Sequence, residues 1–273
     1  MVTYNDRKKM EIVGYLASLF IGIALGLIGG GGSILTVPVL VYLFGLPPIT
    51  ATAYSLFIVG ATSLVGAWPK YRKGLVDVKT AVIFGMPSIA AVYATRKFLV
   101  PAIPDTIFTI GDFTVGKPTA IMLLFAVMMF AASISMIRKK PCKDCPDDAE
   151  IQYNYPLIML EGVLVGTLTG LVGAGGGFLI IPALVLLTKL SMKKAVGTSL
   201  VIIAAKSLLG FTGDVANMPI EWGFLLLVTG LAVLGFYVGN GISGRVSGYK
   251  LQKGFGWFVL FMSIYILINE LFL

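Results

Sequence analysis

The amino-acid sequence predicts an all-α, polytopic membrane protein made of an inverted repeat of two five-element halves, with helices broken or re-entrant at glycine-rich motifs. Three observations carry this expectation. The chain is 57% hydrophobic and 12% charged, whereas about 25% charged residues is usual for a soluble domain. Apolar stretches of roughly 17–23 residues recur from Met10 to Leu273, enough at about 1.5 Å per residue to cross about 30 Å of hydrocarbon. The stretch Gly26–Pro38 also returns 144 residues later as Gly170–Pro182, and Gly26–Gly66 laid on Gly170–Gly210 without a gap is identical at 19 of 41 positions.

With Gly, Pro and charged loops as punctuation, the first half (1–138) should hold membrane elements at 12–28, 34–46, 50–67, 79–97 and 118–138. The basic stretch Asp6-Arg7-Lys8-Lys9 before 12–28 has the look of a signal peptide. No small-residue cleavage site follows it, so it is expected to stay in the mature protein. Element 12–28 runs into Gly29-Gly30-Gly31-Gly32. Each glycine costs roughly 1 kcal/mol relative to alanine in a helix, so the helix should break there. Element 34–46 is too short to cross upright and reads as a tilted crossing or half of a re-entrant hairpin. The segment 98–117, with Pro101, Pro104, Asp105 and Asp112, has no counterpart in the second half and reads as an outside loop.

A polar linker, 139–154, carries Cys142-x-x-Cys145 and joins the halves. The second half (155–273) repeats the pattern with elements at 156–172, 178–190, 195–212, 222–243 and 253–272. An odd number of crossings per copy would insert the second copy upside down. Placing the basic clusters Lys70/Arg72/Lys73, Arg138/Lys139/Lys140, Lys189/Lys193/Lys194 and Arg245/Lys250/Lys253 inside agrees with this, and puts the Asp214/Glu221 loop and both termini outside. Trp68 and Trp222 fall where spans end, the place for amphipathic rings. Gly22-x-x-x-Gly26 and Gly166-x-x-x-Gly170 read as close helix packing.

Several chemistries are excluded. The net charge of +8 reflects basic loops, and no Lys/Arg block interleaved with aromatics suggests nucleic-acid binding. Neither glycine cluster ends in Gly-Lys-Ser/Thr or has Rossmann spacing. There is no histidine, so the familiar triads are absent, and the lone Cys pair lacks partners for tetrahedral zinc. No cofactor, metal or enzymatic chemistry is therefore expected.

The polar residues left within the spans point to an anion. A helix break in lipid persists only where protein, water or solute satisfies its backbone, and a helix starting after each break would aim free N–H groups and a positive dipole end into the gap. The expected site comprises Gly31, Gly32, Ser33 and Ile34 in the first copy, and Gly175, Gly176, Gly177 and Phe178 in the second. It adds the paired hydroxyls Ser55 and Ser199, and Lys206, the repeat counterpart of neutral Thr62. Ionisable groups inside spans are costly and tend to be functional. The bland alternatives are that Lys206 pairs with Glu161 or Asp214, or snorkels, and that the hydroxyls bond their own helix backbone.

The doubled glycine motif, Pro38 and Pro182, and Ala195-x-x-Thr198-Ser199-Leu200 resemble the TauE/SafE family of membrane permeases over about residues 12–272. The first copy departs by reading Ala51-Thr52-Ala53-Tyr54-Ser55, with Tyr54 in place of Thr198. The resemblance implies a multi-pass plasma-membrane exporter of sulfite, sulfonates or related sulfur-containing anions. With no ATPase motif, transport would be secondary: coupled to a proton or counter-anion, or simply facilitated. A membrane redox or sensor protein using Cys142 and Cys145 is the competing reading. The sequence leaves oligomeric state open.

Overall fold

A computed structural model of the chain describes residues 4–110, 113–138, 155–188, 190–215, 217–243 and 248–272. The first half contains α1 (Tyr4–Ile28) and a short composite helix, α2, made of a 3-10 stretch Gly30–Leu35, Thr36–Pro38 and a π stretch Val39–Leu43. It continues with α3 (Pro48–Arg72), α4 (Val78–Ala94, prolonged by the π segment Thr95–Leu99) and α5 (Lys117–Arg138). The second contains α6 (Tyr155–Val172), α7 (Gly177–Thr188), α8 (Met192–Val215), α9 (Trp222–Ser243) and α10 (Gly248–Phe272). Seven of these helices are long and apolar enough to cross a membrane. The chain is an all-α polytopic membrane protein, with large apolar side chains such as Leu16, Phe20, Leu234 and Phe261 turned outward. At 12 residues, α7 spans only about 18 Å, short of an upright crossing.

Two expectations about loops need correction. Part of 98–117 is an antiparallel hairpin, β1 (Thr106–Ile110) with β2 (Phe113–Gly116). Asp214 is not in a loop: α8 continues to Val215 and buries it. The linker with Cys142 and Cys145 lies outside the described residues.

The elements pack across the halves more than within them. A Cβ at Gly22 would overlap the carbonyl oxygen of Ala232, and one at Gly166 would approach that of Ser88 at 2.5 Å. These are the same contact shifted by 144 residues, once with the partners exchanged. Gly26 likewise meets Phe236 and Asn240, so position numbers climb together and α1 runs parallel to α9. On the other side Gly162 meets Phe84 and Gly170 meets Thr95, so α6 runs parallel to α4. Between α3 and α8 the order reverses, Leu56 facing Gly210 and Gly60 facing Leu208, so these two run antiparallel. Small residues at these crossings let backbones touch, where dispersion accumulates without help from a hydrophobic driving force.

The helix starts are tied in the same crossed manner. The N–H of Asp77, which caps α4, donates to Thr198 Oγ1 at 2.9 Å, and the N–H of Glu221, just before α9, donates to Tyr54 OH at 2.7 Å. Positions 54 and 198, and 77 and 221, are repeat equivalents. Tyr54 thus replaces Thr198 in a structural role, accepting from the loop of the other half.

Gly22→Ala should force α1 from α9 and destabilise the protein by about 1–3 kcal/mol, as overpacking does. Gly230→Ala, where an added Cβ meets nothing within 4 Å, should be neutral or slightly stabilising. Thermal unfolding of the two purified variants in detergent checks the contrast.

Candidate functional site

Both expected breaks are present and stand at equivalent positions. The N–H of Gly29 closes α1 on the Leu25 carbonyl, and that of Gly173 closes α6 on the Thr169 carbonyl. The chain then turns at φ 77° in Gly29 and φ 73° in Gly173, a left-handed geometry that a Cβ disfavours. Gly175 and Gly176 also take positive φ. A bound solute or the protein itself must satisfy the backbone freed by such turns in an apolar layer.

The first break differs in detail from the expectation that helix resumes at Ser33. A 3-10 helix resumes already at Gly30, so Ser33 and Ile34 lie inside it and the leading amides belong to the glycines. Gly32 serves packing, since a Cβ there would strike the backbone of Ala24 and Leu25. Ile34 is fully buried in the core formed by α1, α2, α5 and α10. In the second break α7 starts at Gly177, close to expectation. The Leu179 N–H already donates to the Gly176 carbonyl, which leaves Gly177 and Phe178 as the leading amides.

The two breaks meet. A Cβ on Gly175 would lie 3.2 Å from Ser33 Cβ and 3.4 Å from Ser33 Oγ, and would press on Val59. Their surroundings are unequal. Around the first break Gly29 faces Val196 and Ile181, whereas Gly173 faces Thr52, the repeat equivalent of Val196. Thr52 and Val59 both touch the Gly173–Gly175 loop, so the stripe of α3 facing that loop contains Ser55 between them. Ser55 is fully buried and its hydroxyl has no hydrogen-bond partner among the described residues. Its counterpart Ser199 donates to the Val196 carbonyl of its own helix at 2.9 Å.

Lys206 completes this side. It is wholly buried, its Nζ donates to Thr169 Oγ1 at 3.0 Å, and a Cβ on Gly176 would come 2.7 Å from that nitrogen. Among the described residues no carboxylate lies within ion-pair distance of it; Asp214 instead sits 3.6 Å from Arg96 Nη1. A buried charge is normally paired, because its desolvation costs several kcal/mol. Lys206 has a hydroxyl, a glycine without a side chain, and the nearby N-terminus of α7. Of these the helix N-terminus is a positive dipole end, and none of the three carries a charge that would neutralise the amine.

Sequence reasoning singled out neither Thr169, which accepts from Lys206, nor Arg96, a second buried basic side chain. Arg96 carried a signal, being an ionisable residue in an apolar span whose repeat counterpart is uncharged Asn240. Thr169 carried none, for a threonine one turn before a glycine break is commonplace.

Crossed helix pairs, two broken helices in contact and a buried lysine without a carboxylate partner among the described residues at their junction are features of a membrane transporter. Relatives say the same: a "Probable membrane transporter protein" of Xylella fastidiosa is 28% identical over 90% of this chain and 91% of that protein. "Probable membrane transporter protein YdhB" of Bacillus subtilis is 26% identical over 82% and 86%, and MJ0441 of Methanocaldococcus jannaschii, of the same description, 29% identical over 73% and 67%. The model of the family "Sulfite exporter TauE/SafE" matches residues 15–266, and the chain belongs to that family.

Gly176→Ala would hold a Cβ at positive φ, a strain of about 1–2 kcal/mol, and aim it at Thr169 Oγ1 and Lys206 Nζ. The variant should insert yet melt at a lower temperature than wild type, by the few degrees that about 1–2 kcal/mol represents, as thermal unfolding in detergent would read.

Proposed function

We propose that the protein is a secondary exporter of sulfite or small sulfur-containing organic anions such as sulfonates, working in the plasma membrane as an inverted-repeat carrier. The observation that carries the reading is Lys206, buried against Gly176 at the break before α7 without a counter-charge among the described residues. An oxyanion entering there gains a cation, the Thr169 and Ser55 hydroxyls and the leading amides of α7, each of which interacts more strongly in a low dielectric than in water. Such a site reads negative charge and oxygen geometry, in keeping with a family described as sulfite exporters.

Inversion is supported by the running directions: α3 and its equivalent α8 are antiparallel, so the operation relating the copies has its axis across those helices. In secondary transporters that symmetry lets one half rock against the other around a fixed site. The contact of Gly175 with Ser33 is where such movement would be felt, and chain without side chains there can change shape. No role in transport falls to Cys142 and Cys145.

Flux across proteoliposomes, tried with sulfite, sulfoacetate, thiosulfate, sulfate and phosphate, tests the reading. Lys206→Gln should cut oxyanion flux at sub-saturating substrate by at least about tenfold, equivalent to about 1.4 kcal/mol. Gly31→Leu and Gly175→Leu should abolish it while protein still inserts, and Cys142→Ser/Cys145→Ser should leave it intact. Full flux in Lys206→Gln and Gly175→Leu would refute the site.

A further inference from the structure

We propose that Arg96 is a second oxyanion-binding residue of the transport path, receiving two oxygens of a sulfonate, sulfite or carboxylate on the Nε/Nη2 edge of its guanidinium. The inference rests on the transporter reading above and extends it to a second position.

Arg96 lies in the π segment Thr95–Leu99 that prolongs α4 and is 1% exposed. Only one corner of its guanidinium is engaged. Nη1 donates to Thr52 Oγ1 at 3.1 Å and stands 3.6 Å from Asp214 Oδ1, while Nε and Nη2, although buried, have no partner among the described residues. Asp214 Oδ2 is also buried and unpartnered. A buried Arg–carboxylate pair repays its desolvation when it closes as a two-pronged fork with the remaining donors satisfied. This pair does neither: the carboxylate meets a corner beyond hydrogen-bond distance. The edge best shaped for two oxygens of a planar or tetrahedral anion is left without a partner among the described residues.

Its position ties it to the first cation. A Cβ on Gly213 of α8 would lie 3.1 Å from Arg96 Cβ, and Lys206 is seven residues earlier on that helix, about 10 Å away at about 1.5 Å per residue. Thr52, which accepts from Arg96, touches Gly173 at one end of the glycine loop, and Lys206 touches Gly176 at the other. The two cations therefore bracket the loop, with Arg96 nearer the end of α8. Asp214 acts there as a resident competitor: it takes part of the guanidinium charge when the site is empty and yields as an anion docks on the other edge.

The test uses the full chain in proteoliposomes with methanesulfonate as probe. Arg96→Lys keeps the charge and loses the fork, so the half-saturating concentration should rise about tenfold with maximal rate within about twofold, a loss of the size one good hydrogen-bonded contact gives. Asp214→Asn removes the competitor and should lower the half-saturating concentration. The methanesulfonate-induced rise in melting temperature in detergent should be smaller for Arg96→Lys than for wild type at equal concentration. An unchanged half-saturation and thermal shift in Arg96→Lys, with wild type carrying the probe, overturns the Arg96 site and leaves the Lys206 site standing. Neither flux nor thermal shift in wild type, with this probe or sulfite, overturns both. Should Arg96→Lys fail to fold, Asp214→Asn decides, and an unchanged half-saturation there overturns the proposal.

Discussion

Everything in this molecule depends on one backbone constraint, a left-handed glycine at the same place in each copy. Gly29 and Gly173 each take the last hydrogen bond of the helix before them and then turn where a side chain would not permit it. From that turn follow the short helices α2 and α7, the contact between Gly175 and Ser33, and the gap that Lys206 reaches. A helix that continued through either position would satisfy its own amides and keep the two short helices from meeting. The left-handed geometry open to glycine is therefore the cause of the breaks and not an ornament of them.

The repeat is symmetric in packing and asymmetric in chemistry. Helix crossings and loop ties recur with an offset of 144 residues, down to paired contacts such as Gly22 on Ala232 and Gly166 on Ser88. Polar groups do not follow. Thr52 has Val196 as its equivalent, Lys206 has Thr62, and Arg96 has Asn240, so Gly29 faces aliphatic Val196 and Ile181 while Gly173 and Gly176 face Thr52, Thr169 and Lys206. A duplicated scaffold allows this, because the backbone geometry that both copies need is fixed by glycines, while side chains around one break are free to diverge toward a solute.

Much of this was legible in the residues. Composition and span length dictate a membrane fold, and consecutive glycines within apolar sequence dictate a break, because both are local consequences of solvation and backbone freedom. The antiparallel hairpin was legible too: β-branched runs around Gly111-Asp112 are a turn signal, overlooked beneath the prolines and acids of a presumed loop. What the residues could not reveal depends on who faces whom. Ser55 and Ser199 look alike in sequence, yet one hydroxyl is left open and the other bonds its own helix. Tyr54 looked like a variation at a binding position until its hydroxyl proved to hold the start of α9. Arg96 escaped notice because its meaning lies in two buried nitrogens without a hydrogen-bond partner among the described residues, a fact of three-dimensional neighbourhood.

The crossed ties have a consequence for ancestry. Since α1 seats on α9, α6 on α4, and the loops before α4 and α9 are each held by a hydroxyl from the opposite copy, neither half possesses the surfaces that complete it. A gene encoding one copy would yield a chain whose grooves could be filled only by a second molecule of itself. Fusion of two such genes would convert a meeting of separate chains into a covalent certainty, and would release each copy from the obligation to carry the same side chains as its twin.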